Sequence, residues 1–499
     1  MAKAQKITVD RSKIRMAIET GVPLSITTYT IPHGVEVYMT EVLTVFLTEL
    51  NQKQMIEYLS YCVSELITNA KKANTKRVYF KTKNLNINEP SEYAKGMATF
   101  KDDTMQNIHH YLDLQKKTGL YVKFMLQMRN NKIKIEVRNN AELTYFEYKR
   151  IHDKLSRAQQ YTSINEAISQ ILDSSEGAGL GLIIMILMLT KIGLTEENFQ
   201  VLCENGETIT RIILPFSKET QDNLSRVSQE FVKTINELPQ FPENITKINR
   251  LLNDPNSKLS DIAMSISSDI SLTAELLHLV NSAAFALASP CHNIADAVKL
   301  VGIRGIKNLL FSIGSMSTLS PGKDETKKEI WENAKKVAFF SYNLARNYCA
   351  SDRNIVEDSY ICGLLHDIGK ILFQTAHPNM LRDLKQRCCK KNIPIPVFEL
   401  MIAGVNHGEI GALITERWNF PDVITNVIRY HHTPDMAPEE YKKLTSLVSL
   451  ASLMVDYYDK KIDFYQIDEF LLEIFHIASK EQFDKIVQRL GQSMQKGKK

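Results

Sequence analysis

The sequence lacks several features that would place it in a special class. Its longest apolar run, Leu180–Leu189, is about half the roughly 20 residues that a membrane helix needs. Charge of one sign is also lacking, because 61 Lys and Arg stand against 57 Asp and Glu. This balance gives no general argument for binding nucleic acid or membranes. Seven cysteines without any Cys-x-x-Cys spacing fit a reducing compartment better than a disulfide framework.

The N-terminal residues Met1–Lys6 have no apolar segment of the kind found in secretory signals. We therefore expect a cytoplasmic protein. Its 499 residues are too many for one ordinary core, and the composition becomes more polar after Pro215. We predict an N-terminal α+β domain over residues 1–217, a linker helix over 218–232, an all-α domain over 233–432, and a C-terminal helical extension with a basic tail over 433–499.

Two hairpins are predicted in the N-terminal part, because apolar and polar residues alternate on both sides of short polar turns. The first joins Tyr121–Met128 to Lys132–Arg138, and the second joins Phe199–Cys203 to Thr208–Leu214. Four further predictions follow from local composition and spacing: a strand at Val35–Thr40, a helix at Tyr58–Ala73, a strand at Arg77–Phe80, and a loop or short helical insertion at Asn84–Gly119.

Helical periodicity recurs from Phe231 to about Lys485. Short breaks that contain Pro, Gly or Asn separate the helices. The clearest predicted helices are Leu259–Ser267, Leu272–Ala286, Ile294–Leu300, Ile306–Ile313, Ile330–Tyr348 and Glu409–Trp418.

The octet at residues 363–370, Gly-Leu-Leu-His-Asp-Ile-Gly-Lys, is the most informative stretch. It sets His366 and Asp367 inside an otherwise apolar helical run, where such side chains need partners. A divalent metal is one candidate partner, since imidazole and carboxylate both bind such cations. Lys370 follows one turn after His366, where it could meet a phosphate or pair with Asp367. The structural alternative is a buried, mutually hydrogen-bonded His-Asp pair.

Six motifs surround and include this octet in a fixed order. They are Leu238-Pro239-x-x-Pro242, Asp269-Ile270-Ser271-Leu272-Thr273 leading into Asn281-Ser282-Ala283, Ile294-x-x-Ala297-Val298-x-x-Val301-Gly302, the octet, Asn406-His407-x-x-Ile410-Gly411, and His431-His432. In this order and spacing they closely resemble the HDOD domain, a relative of the HD and HD-GYP phosphohydrolases found in bacterial signalling proteins.

The resemblance implies a metal site made of a first His, the His-Asp doublet, further His residues and a late Asp. It places the ligands of one divalent metal at four positions: His366, Asp367, His407 and His431. His432 is the alternative to His431. Asn333 stands where the first His is expected, and Ser452 where the late Asp is expected. Because both are weaker ligands than the residues they replace, a site for two metals is not expected.

HDOD domains resemble degenerate HD domains that transmit signals through protein contacts and not by hydrolysis. This is the function that the resemblance implies here. The alternative is a metal-dependent phosphohydrolase or phosphodiesterase, in which Lys370 would act in catalysis.

The N-terminal part carries a second resemblance. Glu65 and Asn69 lie four residues apart, and so on one face of a predicted helix. Gly177-Ala178-Gly179-Leu180-Gly181 opens a long apolar helix, a position at which backbone N–H groups can approach phosphate. With Gly206-x-Thr208 further on, these residues resemble the GHKL fold of histidine-kinase-type ATPases, an α+β sandwich.

In the GHKL family Asn69 would bind Mg²⁺ beside the phosphates of ATP, and Glu65 would orient or activate the attacking group. Gly177, Gly179 and Gly181 would cradle phosphate, and Thr208 would belong to the nucleotide site. The adenine box departs from the family pattern, because Asn139-Asn140-Ala141-Glu142-Leu143 stands in place of Asp-x-Gly-x-Gly. Asn139 can still accept a hydrogen bond from the adenine amino group, but the lost glycines crowd the backbone there.

We therefore predict a cytoplasmic bacterial signalling protein. In it a GHKL-like domain that binds ATP with Mg²⁺ regulates an HDOD domain, whose partners are other signalling proteins. No phosphoacceptor helix precedes the GHKL-like part, so a histidine autokinase is not expected, whereas an anti-sigma-factor-like Ser/Thr kinase stays open. The sequence shows no signal for nucleic acid or membrane partners and leaves the homodimer question open.

Overall fold

The computed structural model describes residues 9–159, 180–191, 194, 196–215, 240–254, 256–282, 285, 290–319, 322, 324–376, 395–403 and 405–496. The predicted linker helix at 218–232 lies outside these residues. The chain divides into two compact units, Met1–Gln229 with Leu400–Gly404, and Glu230–Glu399 with Val405–Lys499.

The N-terminal unit is built on a five-stranded antiparallel sheet. Its strands are β1 (Leu24–Thr28), β2 (Val122–Arg129), β3 (Lys132–Asn139), β4 (Phe199–Glu204) and β5 (Glu207–Pro215), in the spatial order β1-β2-β3-β5-β4. Both predicted hairpins are present. Alternation sends Phe124, Ile135 and Ile212 to one buried face. The opposite face carries charged residues such as Lys134 and Arg211.

The N-terminal unit also contains helices, and the helix Ile56–Thr82 packs against β2 and β3. The helices of this unit are α1 (Arg11–Thr20), α2 (His33–Glu49), α3 (Ile56–Thr82), α4 (Pro90–Gln106), α5 (Ile108–Lys117), α6 (Tyr145–Gln159) and α7 (Leu180–Lys191). Residues 182–189 of α7 are all buried, which accounts for their continuous apolar sequence. Tyr79, Phe80 and Tyr93 form an aromatic cluster with Tyr111 where α3, α4 and α5 meet.

Two strand predictions in this unit are wrong. Val35–Thr40 lies within α2, where Met39 and Leu43, four residues apart, are both fully buried. Helical burial here outweighs the strand preference of β-branched residues. Arg77–Phe80 is the last part of α3 and not a separate strand. Of the two readings of Asn84–Gly119, the helical one applies, because α4 and α5 occupy this segment.

The described part of the C-terminal unit consists of helices. They are α8 (Glu243–Asn253), α9 (Leu259–Ser267), α10 (Ile270–Val280), α11 (Ile294–Thr318), α12 (Glu325–Tyr348), α13 (Arg353–Leu365), α14 (Ile368–Ala376), α15 (Ile395–Ala403, of which the part from Leu400 onward falls in the first unit), α16 (His407–Arg417), α17 (Asp422–Tyr430), α18 (Glu439–Tyr458), α19 (Glu469–Ile474) and α20 (Lys480–Lys496). Side-chain caps start several of them: Asp269 accepts from the Leu272 amide and Asp352 from the Ile355 amide.

Helix α11 contains a break that the two shorter helix predictions bracket. At Gly302 φ is 73° and ψ is 170°, a left-handed φ that favours glycine. Among the described residues no helix is long and apolar enough to span a membrane.

Candidate functional site

His366 and Asp367 lie in the short turn between α13 and α14, and not inside one continuous helix as the sequence predicts. His366 Nδ1 lies 2.8 Å from the Gly363 carbonyl oxygen. A carbonyl oxygen only accepts hydrogen bonds, so the proton is on Nδ1 and Nε2 carries the lone pair. Both side chains are buried. Because they lie in a turn, they face away from the helix interiors and can meet residues of other helices.

His407 is the first residue of α16 and is fully buried. Its Nδ1 lies 2.6 Å from Glu399 Oε2, and its backbone N–H donates to the same oxygen at 2.9 Å. Sequence reasoning missed Glu399. The signal was an acidic residue in the middle of an apolar run, Val397-Phe398-Glu399-Leu400-Met401, because such a residue is seldom buried without a partner. Glu399 orients the ring so that Nε2 of His407 faces Asp367.

His431 and His432 follow the last residue of α17. The His431 ring is held by its Nδ1, which lies 2.7 Å from the Ile428 carbonyl oxygen. His431 is buried and His432 is exposed. Nε2 of His407 lies 3.3 Å from Nε2 of His431 and 2.9 Å from Nε2 of His432. The sequence left His431 and His432 as alternatives, whereas the structure brings both to His407.

Four side chains thus form one group that we call the His-Asp cluster: Asp367, His407, His431 and His432. Their ligand atoms all lie within 4.8 Å of one another. Asp367 Oδ1 lies 3.2 Å from His407 Nε2 and 3.5 Å from His431 Nε2. This buried oxygen accepts no well-aligned hydrogen bond within the described part of the chain.

The His-Asp cluster fits a divalent cation. The Nδ1 protons of His407 and His431 are directed away to Glu399 and Ile428, so neutral rings point Nε2 lone pairs at each other and at a carboxylate. Lone pairs that converge in a buried site repel one another unless a cation or a proton lies among them. Three imidazoles and one carboxylate are ligands that zinc, iron and manganese accept.

The pKa values show how the site would balance charge without a metal. Burial lowers the pKa of His366 to about 4 and also lowers the pKa of His431. Burial would lower the pKa of His407 too, but Glu399 raises it above its ordinary value. Burial alone would raise the pKa of Asp367, but the neighbouring His366 and Lys370 hold it well below its usual range. Asp367 is therefore an ionised carboxylate at neutral pH.

His366 and Lys370 both contact Asp367 of the His-Asp cluster. His366 Nε2 is 3.4 Å from Asp367 Oδ2 and 3.4 Å from Ser452 Oγ. Ser452, which stands where a late Asp is expected, therefore lies next to His366. Lys370 Nζ pairs with Asp367 Oδ2 at 2.7 Å. Asn333 Oδ1 lies 3.4 Å from the ammonium of Lys461, so a cation of the protein already faces this oxygen.

In the N-terminal unit, Glu65, Asn69 and Gly181 come together. Asn69 donates to Glu65 Oε1 at 3.1 Å. A Cβ atom at Gly181 would lie 2.2 Å from the Glu65 carboxyl carbon, so a larger residue at 181 would require the Glu65 side chain to move. Burial raises the pKa of Glu65 above its ordinary value. The other predicted glycines, Gly177 and Gly179, lie outside the described residues.

Asn139 and Thr208 are register partners on β3 and β5, and both are buried. Asn139 donates to Asn74 Oδ1 at 3.1 Å, and Thr208 donates to the Ala141 carbonyl at 2.6 Å. Asn74 lies on α3, the helix that carries Glu65 and Asn69. All five described residues of the predicted nucleotide site are therefore on α3, on α7 or on two adjacent strands.

Comparison with known proteins gives two kinds of match. The HDOD domain model matches residues 238–434. An uncharacterized protein of Treponema pallidum (strain Nichols) is 42% identical over 490 residues, which cover 98% of this chain and 95% of that protein.

Similarity to solved structures is more limited. A crystal structure of an HDOD domain protein with unknown function from Geobacter sulfurreducens is 22% identical to this chain. The match covers 56% of this chain and 96% of that chain, with a TM-score of 0.44.

Proposed function

Since this chain belongs to the same family as the Treponema pallidum protein and carries an HDOD domain of the HD superfamily at residues 238–434, we propose that it is a signalling protein whose HDOD domain holds one divalent cation. The observation that carries this proposal is the His-Asp cluster, with four ligand atoms within 4.8 Å. In this proposal Asp367, His407, His431 and His432 bind the metal, and His366 supports Asp367.

The proposed role of the metal is to hold the His366-Asp367 turn in contact with the beginning of α16 and with the residues after α17. The cluster joins this turn to the first residue of α16 and to the residues that follow α17. A cation bound there would stabilise one arrangement of these segments. The domain would then present a defined surface to a protein partner, without turnover of a substrate.

Metal analysis of the purified full-length protein tests this proposal. We expect about one divalent cation per chain by elemental analysis, and a much smaller content in Asp367→Asn, which keeps the shape of the side chain but removes its charge. Asp113→Asn changes an exposed carboxylate on α5 and serves as the matched control. A wild-type protein that carries no divalent metal, even after refolding with zinc, iron or manganese, would contradict the proposal.

One observation favours a second candidate, an HD-type phosphohydrolase. Lys370 places an ammonium 2.7 Å from Asp367 Oδ2, and a cation beside a metal is suited to bind a phosphate group. Against it, Asn333 faces Lys461 and Ser452 carries no charge. A metal-loaded protein that hydrolyses a cyclic dinucleotide or bis(p-nitrophenyl) phosphate, and loses this activity in Lys370→Met, would establish the second candidate over the first.

We further propose that the N-terminal unit binds ATP with Mg²⁺ and regulates the HDOD domain. Support comes from the contact of Glu65 with Asn69 and the approach of Gly181 to Glu65, and from Asn139 and Thr208, which are register partners on β3 and β5. The Ser/Thr-kinase alternative uses the same residues, with Glu65 as the group that activates a hydroxyl. Calorimetry of the full chain with ATP and Mg²⁺ tests binding, with Asn69→Ala as the variant expected to lose it. No heat of binding at millimolar nucleotide would contradict both ideas.

A further inference from the structure

A cavity of about 280 Å³ lies among α11, α12 and α13. None of its lining residues belongs to the His-Asp cluster. Its volume is close to the lower end of the range for small-molecule sites, about 300 Å³. The cavity opens beside the break in α11 at Gly302, where Leu300 lines it and is 56% exposed. A ligand could therefore enter from solvent without unfolding a helix.

Aromatic side chains form one side of the cavity. The ring centroid of Phe285 lies 5.0 Å from that of Tyr342 and 5.4 Å from that of Tyr360, with interplanar angles of 48° and 42°. Burial raises the pKa of Tyr360 to about 12, so its hydroxyl stays neutral. Val301 and Leu309 add aliphatic surface. Rings at these distances provide faces and edges against which another planar ring can pack.

The charges at the cavity favour an anion. Arg353 Nε binds Glu357 at 2.6 Å, so this pair is internally neutralised. Arg346 is exposed, and its guanidinium lies 5.9 Å from the centroid of the Tyr342 ring. No carboxylate pairs with Arg346 in the part of the chain that the structure describes. The three charged lining residues, Arg346, Arg353 and Glu357, therefore carry one net positive charge. This charge is on Arg346, whose guanidinium can bind an oxyanion.

We propose that this cavity binds a small aromatic anion. Its planar ring would pack against Phe285, Tyr342 and Tyr360, and its carboxylate or phosphate would bind Arg346. Tyr360 and Glu357 lie on α13, which ends at Leu365, directly before His366. A ligand in this cavity contacts the helix that precedes Asp367 of the His-Asp cluster. The HDOD domain would then respond directly to a small ligand.

Fluorine NMR of the full-length protein tests the proposal with four probes of similar size. They are para-fluorobenzoate, para-fluorophenyl phosphate, para-fluorobenzyl alcohol and para-fluorobenzylamine. We expect line broadening with one or both anions at millimolar concentration or below, and weaker binding of the alcohol and the amine by about tenfold or more. The two anions distinguish a carboxylate ligand from a phosphate ligand.

Two variants assign the site. Arg346→Gln, at an exposed position where folding should be unaffected, is expected to weaken binding of the anions by about tenfold and leave the alcohol unchanged. Arg250→Gln removes an exposed arginine of α8 that does not line the cavity, and should bind like the wild type. Equal binding of all four probes, no broadening by any of them, or unchanged anion binding in Arg346→Gln would each overturn the proposal.

Discussion

At the scale of single residues, Glu399 determines what His407 can do. Its Oε2 lies 2.6 Å from His407 Nδ1 and also accepts from the His407 backbone N–H. The carboxylate therefore fixes both the tautomer and the direction of the ring. Carboxylates in this position beside a metal-binding histidine raise the basicity of the ligand nitrogen.

We predict that Glu399→Gln lowers the affinity for the divalent cation by about 10- to 100-fold. The amide keeps a hydrogen bond to the ring but removes the negative charge. Affinity is measured by competition with a chromogenic chelator. Glu332→Gln, at an exposed residue that pairs with Lys335 at the surface, is the control and should bind as the wild type does. If Glu399→Gln binds the divalent cation as tightly as Glu332→Gln does, Glu399 does not support a metal ligand.

Glu147 makes a second residue-scale prediction, in the N-terminal unit. It pairs with Arg77 at 2.6 Å and with Lys76 at 3.2 Å. Burial alone would raise the pKa of Glu147, but Arg77 and Lys76 lower it from 4.5 to about 2. A carboxyl group with a depressed folded pKa stabilises the fold above the unfolded value. This stabilisation is lost as the pH falls through the folded value.

We expect Glu147→Gln to cost up to about 3 kcal/mol of unfolding free energy at neutral pH. The difference from the wild type should shrink as the pH falls from about 4.5 towards 2. Urea denaturation followed by circular dichroism at several pH values measures it. Glu92→Gln, at a residue that accepts a hydrogen bond from the Asn86 backbone N–H and makes no ion pair with any described residue, should show a smaller effect. If the loss of unfolding free energy in Glu147→Gln stays constant down to low pH, the lowered pKa of Glu147 is contradicted.

At the scale of elements, the site depends on how closely α14 packs against α16. A Cβ atom at Gly369 would lie 1.9 Å from the His407 carbonyl oxygen and 2.8 Å from the Gly411 amide nitrogen. The obstruction is backbone, which a rotamer change cannot relieve. Glycine at 369 thus allows the helix that follows Asp367 to lie against the helix that begins with His407.

Gly369→Ala should therefore destabilise the C-terminal unit by about 1–3 kcal/mol and reduce its metal content. Thermal unfolding monitored by calorimetry, together with elemental analysis, measures both effects. Gly34→Ala is the control, because a Cβ there meets no atom within 4 Å and its helical position favours alanine. A variant at 369 as stable as the wild type would mean that the two helices do not pack this tightly.

The elements that sequence reasoning predicted correctly are those with strong local patterns. The hairpin of β2 and β3 follows from strict alternation around Asn130-Asn131, and both asparagines have positive φ, as such a turn requires. Arg77–Phe80 was predicted wrongly because four residues rich in β-branched and aromatic side chains fit a strand locally. Packing against α4 and α5 decides that they extend α3, and local sequence carries no sign of it.

The candidate site, too, was predictable from the sequence only in part. The His-Asp doublet and the positions of His407 and His431 are visible as motifs, whereas Glu399, eight residues before His407, is marked only as an acidic residue within an apolar run. How the His366 and His431 rings face Asp367 depends on the rotation of these side chains at helix ends. That rotation is set by the Gly363 and Ile428 carbonyl groups, and sequence spacing does not contain it.

At the scale of the whole molecule, the proposed regulation is a statement about linkage. Nucleotide can change the state of the HDOD domain only if it binds two states of the chain with different affinity. Such coupling is reciprocal. If nucleotide changes the metal affinity of the His-Asp cluster by some factor, the metal changes the nucleotide affinity by the same factor. Hydrogen exchange reports such coupling element by element.

We predict that ATP with Mg²⁺ slows amide exchange in α3 and α7, which carry Glu65, Asn69 and Gly181, and also changes exchange in α16 and α17. Exchange followed by mass spectrometry on the metal-loaded full chain measures this. Asn69→Ala should abolish both effects, whereas Asp367→Asn should abolish only the change in α16 and α17. Protection confined to α3 and α7 would show that nucleotide binds without reaching the HDOD domain, since coupling requires that both units respond to one ligand.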